Sequence, residues 1–261
     1  MLLDLGGVFV EGARTKMAGR LMKAGQTVVA NLGGALERAT NATGAEARAR
    51  DEGELPAFAV VHEDEDLVVV EKPAGLLTAP TPESDRNNLA GLLARTAGGK
   101  RPIFVVHRID LDTSGLLVFA KNDDTNRALS ELFRAHRLER SYLAVVEGAV
   151  SEALKLIEHP VGGKRAVTHV ELVERFGARA TLVRARLETG RTHQIRLHFR
   201  AEGHPVLGDA TYGRRGPNDP PRMALHATRL AFVHPRTGKT LDLESPWPPD
   251  LSGWLESLRA A

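Results

Sequence analysis

Apolar residues in this chain fall into short runs separated by polar, glycine- and proline-bearing stretches, a pattern that predicts more strands than helices. Val8-Phe9-Val10 stops at the turn Glu11-Gly12, and Val28-Val29-Ala30 forms a second short strand. Between them lie the basic residues Arg14, Lys16, Arg20 and Lys23. Residues 33–55 are rich in Ala, Gly, Glu and Arg with few large apolar side chains. They offer little area to offset the entropy of ordering, so a linker or a marginal helix is expected there. From Phe58 onward the runs become stronger. Phe58 to Val61 and Leu67 to Val70 read as strands around an acidic turn, and Lys72-Pro73-Ala74-Gly75 ends the second. Asn87 or Asn88 can cap a helix over Leu89 to Arg95. Asp123 or Asp124 can cap another, whose Ala128, Leu129, Leu132 and Phe133 share one face. Tyr142 to Val146, Leu225 to Phe232 and Leu241 to Leu243 are further strands, and Val167 to Leu187 is strand-like, with Thr181, Val183, Ala185 and Leu187 on one face. His193 to Arg200 is ambiguous: Ile195, Leu197 and Phe199 alternate as in a strand, yet Thr192 can cap a helix ending at Gly203. Hairpin-like neighbours outnumber βαβ units, which predicts an α+β fold with a mixed but largely antiparallel sheet.

The densest chemistry lies in Phe104 to Asp123. Two apolar runs, Phe104 to Val106 and Leu116 to Ala120, enclose His107, Arg108, Asp110, Asp112, Thr113, Ser114 and Gly115. Charged side chains held between two buried strands sit at the edge of a core, where a carboxylate is partly desolvated and rigidly presented. A solvated acidic hairpin loop fits the same spacing.

The 261 residues are 42% hydrophobic and 26% charged, enough for one large domain and a small appendage. The net charge of +2 says little. Its distribution says more, because the second half is rich in arginine, which suits phosphates and planar polar groups. With no cysteine, disulfides, thiolate metal sites and cysteine nucleophiles are excluded. The N-terminus lacks a signal-peptide pattern and no stretch is apolar enough to span a bilayer, so no membrane association and a cytoplasmic location are expected. Neither GxGxxG after a strand nor GxxxxGK[ST] occurs, which argues against a nucleotide cofactor. His193, His198 and His204 lack metal-site spacing and read as satisfied or solvated.

Three readings suit the carboxylates. Asp112-Thr113-Ser114-Gly115 resembles an aspartic-protease loop, but an extra residue breaks the turn and no second loop supplies the paired carboxylate. Asp110 and Asp112 would lie about 6.5 Å apart on an extended strand, near glycosidase spacing. A single aspartate could instead act at a sugar carbon, and would then need a nearby cation to stay ionised. Arg196 is one candidate among several arginines.

His107-Arg108-Ile109-Asp110-Leu111-Asp112-Thr113-Ser114-Gly115-Leu116 resembles the HRLD-x-x-TSG-L motif of the RluA-type pseudouridine synthases. Other matches follow in order. Glu71-Lys72-Pro73-Ala74-Gly75 resembles N-K-P-x-G, with Glu for Asn. Arg140 to Gly148 resembles K-x-Y-x-A-x-V-x-G, with Arg for Lys. Gly190 to His198 resembles GRTHQIR-x-H, followed by Gly203 to Asp209, Tyr212-Gly213, Leu225-His226-Ala227 and His234-Pro235. The series places a catalytic domain over 56–261. Residues 5–32 resemble the latter part of an S4-like RNA-binding module, so 1–32 is expected to be a truncated S4-like module or a small β-cap, and 33–55 the linker.

This resemblance implies a bent sheet flanked by helices and loops around a central active-site cleft. It also implies cofactor-free and metal-free isomerisation of uridines in structured RNA, ribosomal or transfer; a monomer is the default expectation. By the same resemblance Asp110 is the catalytic aspartate, Tyr142 stacks on the uracil and helps remove its C5 proton, and Arg196 pairs with Asp110. Arg108 fills the place of a flipped-out base, Leu225 is a pocket wall, and Thr113, Ser114 and Gly115 shape the loop. Asp112 is not expected to be catalytic. The rival expectation is a catalytically silent RNA-binding or ribosome-assembly factor on the same fold.

Overall fold

The computed structural model describes residues 8–10, 13–14, 28–30, 57–80, 88–96, 102–214, 216 and 219–260. The chain divides into two compact units, Met1–Leu55 with Pro80–Asn88, and Pro56–Ala79 with Leu89–Ala261. In the first, strands β1 (Val8–Val10) and β3 (Val28–Ala30) stand where the apolar runs place them. With β2 (Ala13–Arg14) they form a sheet of order β2-β1-β3, antiparallel throughout, with β1 in the centre. The expected linker and most of the basic residues between the strands lie outside the described residues.

The second unit is built on one sheet of ten strands. In chain order its elements are β4 (Ala59–Glu63), β5 (Leu67–Lys72), α1 (Leu89–Thr96), β6 (Phe104–Val105), β7 (Ser114–Ala120), α2 (Asp123–Arg134), β8 (Glu139–Glu147) and β9 (Leu156–Ile157). After these come β10 (Thr168–Phe176), β11 (Ala180–Leu187), α3 (Gln194–Ala201), β12 (Leu225–Val233), β13 (Thr240–Glu244) and α4 (Pro249–Arg259). The order is β4-β5-β7-β12-β8-β11-β10-β9, with β13 on β12 and β6 on β7. Among the described pairings only β7 with β12 is parallel, so the sheet is mixed but largely antiparallel.

Strand β7, Ser-Gly-Leu-Leu-Val-Phe-Ala, is buried at every position, as expected of a strand covered on both faces. Leu116, Val118, Leu67, Val69 and Leu230 pack with Leu129 of α2 into one cluster; Val145, Phe176 and Leu182 pack with Leu251, Leu255 and Leu258 of α4 into another. Full burial of each such side chain stabilises by about 1.5–3 kcal/mol. These strands therefore form a stiff base for the loops at their ends. At one end Gly115 has φ +112°, and a Cβ there would lie 2.3 Å from the Ala227 carbonyl oxygen. Only glycine lets β12 approach β7 this closely in parallel register.

Two helix starts differ from expectation. Asn122, not Asp123 or Asp124, caps α2: its backbone is extended and its side chain accepts from the Thr125 N–H. The two aspartates fall in the first turn instead, where carboxylates favour the positive end of the helix. The ambiguous segment is helical, and His193 rather than Thr192 holds its N-cap position, in left-handed conformation (φ 56°) with no capping hydrogen bond. Among the described residues no helix is long and apolar enough to cross a membrane.

Candidate active site

Asp110 sits in a tight turn between β6 and β7, closed by the Thr113 N–H donating to the Asp110 carbonyl at 3.2 Å. The turn is fastened from behind by the segment after β5. Lys72, fully buried, donates to the carbonyls of Pro73 (2.8 Å), Leu76 (2.7 Å) and Leu111 (2.8 Å). The Gly75 N–H also donates to Leu111 O, and Thr78 Oγ1 donates to Ile109 O at 3.0 Å. Burial pushes the Lys72 ammonium down to about 7, against the upward pull of Asp112 and Asp110. Asp110 and Asp112 do not share a strand face, because Leu111 and Asp112 occupy the turn and Asp112 is exposed. That geometry removes the extended-strand basis for a glycosidase pair. From the far side, Ser114 Oγ shares a hydrogen bond with His226 Nδ1 at 2.9 Å, tying the start of β7 to β12.

The cation comes from α3, whose start is set by a buried glutamine. Gln194 Oε1 accepts from Thr189 Oγ1 and the Arg191 N–H, while its Nε2 donates to Val167 O and Thr168 Oγ1. With Gln194 turned into the sheet, His193 takes the left-handed position and its ring faces the cavity. One turn on, Arg196 donates through Nη1 to Asp110 Oδ2 at 3.0 Å. Its other edge forms a bidentate pair with Asp209, Nε to Oδ2 at 2.7 Å and Nη2 to Oδ1 at 2.9 Å. The Asp209 carboxylate is wholly buried, and its Oδ1 also accepts from the N–H groups of Thr211 and Tyr212. Burial alone would raise Asp209, but Arg196 and these N–H groups hold it below the usual carboxylate range. Burial likewise pulls Arg196 down, and its two carboxylates more than reverse that. The Tyr212 ring lies 4.8 Å from the Arg196 guanidinium carbon, and its hydroxyl is 2.9 Å from His193 Nδ1. The other imidazole nitrogen is 3.8 Å from Asp110 Oδ1.

These groups open onto a cavity of about 700 Å³. Tyr142 of β8 and Leu225 at the start of β12 form buried walls; Arg108, exposed, stands on the lining beside Asp110. Burial raises the Tyr142 phenol, partly offset by Arg140 and reinforced by Asp110. His107 stacks on Phe133 with centroids 4.3 Å apart and accepts the Val118 N–H, and burial together with Arg140 pushes it down to about 3. The structure thus gathers Asp110, Tyr142, Arg196, Arg108, Leu225 and Thr113 around one cavity, with Ser114 and Gly115 behind it in β7. It adds Lys72, Thr78, His107, Arg140, His193, Asp209 and Tyr212, to which sequence reasoning gave no role. All but Thr78 fall in motif segments, but their partners lie far along the chain or are backbone atoms.

Histidines 193, 198 and 204 do not converge: His198 bonds to the His159 carbonyl and His204 to that of Glu147. Among the described residues Asp64, Asp66 and His234 could place three ligand atoms within 4.8 Å of one another. Their lone pairs are already taken. Asp64 Oδ1 accepts two backbone N–H groups, its Oδ2 contacts His62 and His234, and Asp66 binds Asn122 and Arg236. His234 Nδ1 accepts two N–H groups, so its Nε2 carries the proton that reaches Asp64. The cluster is a closed brace. Chemically, the cavity offers one carboxylate held by a guanidinium, two aromatic rings and a basic lip, in a volume typical of small-molecule sites.

A sequence profile of the family described as RNA pseudouridylate synthase matches residues 66–201. The chain is 42% identical over 221 residues to the uncharacterized RNA pseudouridine synthase YlyB of Bacillus subtilis, covering 77% of this chain and 72% of that protein. It is 39% identical over 223 residues to ribosomal large subunit pseudouridine synthase D of Zymomonas mobilis, covering 74% and 70%. Among solved structures, human RNA pseudouridylate synthase domain containing 1 superposes with a TM-score of 0.63 at 26% identity, over 80% of this chain and 97% of that one. Human domain containing 4 gives 0.64 at 22% identity, over 82% and 96%, a likeness of fold.

Proposed function

This chain belongs to the RNA pseudouridylate synthase family, an isomerase family acting on RNA, and from that we propose that it converts specific uridines of structured RNA to pseudouridine with Asp110 as the catalytic carboxylate. Relatives named for the large ribosomal subunit favour ribosomal over transfer RNA as the substrate. The observation that carries the reading is the Asp110 carboxylate, bound to Arg196 at 3.0 Å and otherwise facing a cavity walled by Tyr142 and Leu225.

In the proposed reaction the bond between ribose C1′ and uracil N1 breaks, the base turns, and a bond forms between C1′ and C5. The C5 proton leaves and N1 gains one, so the reaction is redox-neutral. Asp110 assists cleavage at the ribose. Arg196, held by Asp209, keeps that carboxylate charged and aimed. Tyr142 is the wall on which the ring stacks. A uridine in folded RNA reaches this cavity only when flipped out, at a cost of a few kcal/mol. Arg108, exposed beside Asp110, has the flat guanidinium to fill the gap. Such a substrate implies a cytoplasmic enzyme, and one chain carries every group the mechanism uses, in keeping with a monomer.

The test is incubation with RNA tritiated at uracil C5, followed by nucleoside chromatography. The reading expects tritium in water and pseudouridine in the RNA. Free uracil would instead indicate a glycosidase, and no release from any cellular RNA would favour a silent binding factor. Arg108→Ala is expected to lose activity on folded RNA and keep most of it on a substrate whose uridine is unpaired. An equal loss on both would remove the flipping role.

A further inference from the structure

Among the described residues two that are not glycine have a positive φ, His136 (55°) and His193 (56°). His136 follows the C-cap of α2, where a left-handed residue is an ordinary way to end a helix. His193 stands at the start of α3, where the usual cap is extended, and its side chain makes no capping hydrogen bond. Strained backbone of this kind persists where the surroundings impose it, most often at functional sites. The surroundings here are those of the cavity that holds Asp110, which His193 lines.

The imidazole lies between two groups. Nδ1 is 2.9 Å from the Tyr212 hydroxyl, and Nε2 is 3.8 Å from Asp110 Oδ1, beyond hydrogen-bond length but close enough for electrostatic attraction. Tyr212 is itself fixed. Its ring lies 4.8 Å from the Arg196 guanidinium carbon and 5.6 Å from that of Arg200, and its N–H donates to Asp209 Oδ1 at 3.0 Å. A lone pair on Nε2 would face the carboxylate and repel it. The favoured neutral ring therefore carries its proton on Nε2 and accepts the Tyr212 O–H at Nδ1. Arg196 bonds only Oδ2 of Asp110, so Nε2–H is the donor beside the other oxygen.

Resting on the pseudouridine synthase reading above, we infer that His193 is a positioning residue for Asp110, with its tautomer set by the Tyr212 hydroxyl. Arg196 holds Oδ2 and the imidazole steadies Oδ1, so the carboxylate is restrained against rotation from both sides. Oδ1 has no short hydrogen bond from His193, which leaves it as the oxygen that meets the ribose. The order Tyr212, His193, Asp110 follows the general rule that a reacting group is oriented by a second, and the second by a third. The left-handed backbone at His193 is the strain of placing the ring beside Asp110.

The test uses a transcript containing a uridine that the wild-type chain converts. His193→Gly suits the left-handed backbone and removes the imidazole. It is expected to lower kcat about tenfold, with KM and the melting temperature close to those of the wild type. Tyr212→Phe keeps the ring on Arg196 and removes the hydroxyl. Alone it should lower kcat about threefold, and in a chain already carrying His193→Gly it should change nothing, because the hydroxyl acts through the imidazole. Wild-type kcat in His193→Gly would overturn the inference. So would a raised KM at unchanged kcat, which would make His193 a contact to the RNA. Tyr212→Phe lowering kcat equally in both backgrounds would overturn it as well. If the wild-type chain converts no uridine in any RNA, the reading on which this inference rests falls, and the inference with it.

Discussion

Strands β5, β7 and β12 lie side by side and carry a polar network at each end, built from the same residue types to opposite purposes. Before β5 and after β7 and β12, Asp64, Asp66, Lys121 and His234 are saturated by one another and by His62, Asn122 and Arg236. At the other end Lys72, Ser114, Gly115 and Leu225 border the cavity, and the charges there are deliberately incomplete. Asp209 takes four of the five hydrogen bonds that Arg196 and the backbone give to the two carboxylates, and Asp110 receives one. A closed network braces a fold. One in which a carboxylate still has capacity is ready for a ligand.

Substitutions should separate the two ends. Asp209→Asn is expected to have the largest effect on stability, because it leaves the buried Arg196 charge short of its bidentate partner, at a cost of about 3–5 kcal/mol in urea unfolding. Activity should fall with it, since Arg196 is then free to swing from Asp110. Lys72→Met strips the donor from three carbonyls and should cost about 3 kcal/mol. If the buried ammonium is what seats the turn, its activity at a temperature where the variant is folded will still be reduced.

Acid should act on the two ends at different pH. Burial holds His226 at about 4 and His107 at about 3, against an ordinary value of 6.5. Between those values the unfolded chain binds more protons, so stability falls as pH drops below about 6.5. Asp64 behaves otherwise: burial raises it, but hydrogen bonds from Leu67, Asp66 and His62 outweigh that and hold it at about 2. Its contribution is present above 3.8 and is lost only as pH falls towards 2. Melting temperatures from pH 7 to 3 should therefore fall in a first phase that His226→Asn reduces and Asp64→Asn leaves in place.

Much of this arrangement was legible in the sequence where local pattern decides it. Most strands announced themselves as short apolar runs closed by turn residues; β2 and β9, two residues each, did not. Helix α4 did not, because Pro248-Pro249 at its start reads as a loop and Gly253 falls among Leu251, Leu255 and Leu258. Motif segments located Asp110, Tyr142 and Arg196. Spacing could not separate Asp110 from Asp112, which depends on a turn held by Lys72 through backbone carbonyls that have no sequence signature. Asp209 and Tyr212 were visible as motif residues, yet their service to Arg196 depends on the path of the chain after α3. The left-handed His193 follows from the four hydrogen bonds of Gln194, which only the folded sheet supplies.

The most direct test sets one aspartate from each end against the other: single-turnover pseudouridine formation by Asp110→Asn and Asp64→Asn, with melting temperatures recorded alongside. The account predicts that Asp110→Asn loses roughly a thousandfold or more in rate while melting close to the wild type. Asp64→Asn should melt lower and, while folded, turn over at near the wild-type rate. Pseudouridine formed at an undiminished rate by Asp110→Asn would contradict it.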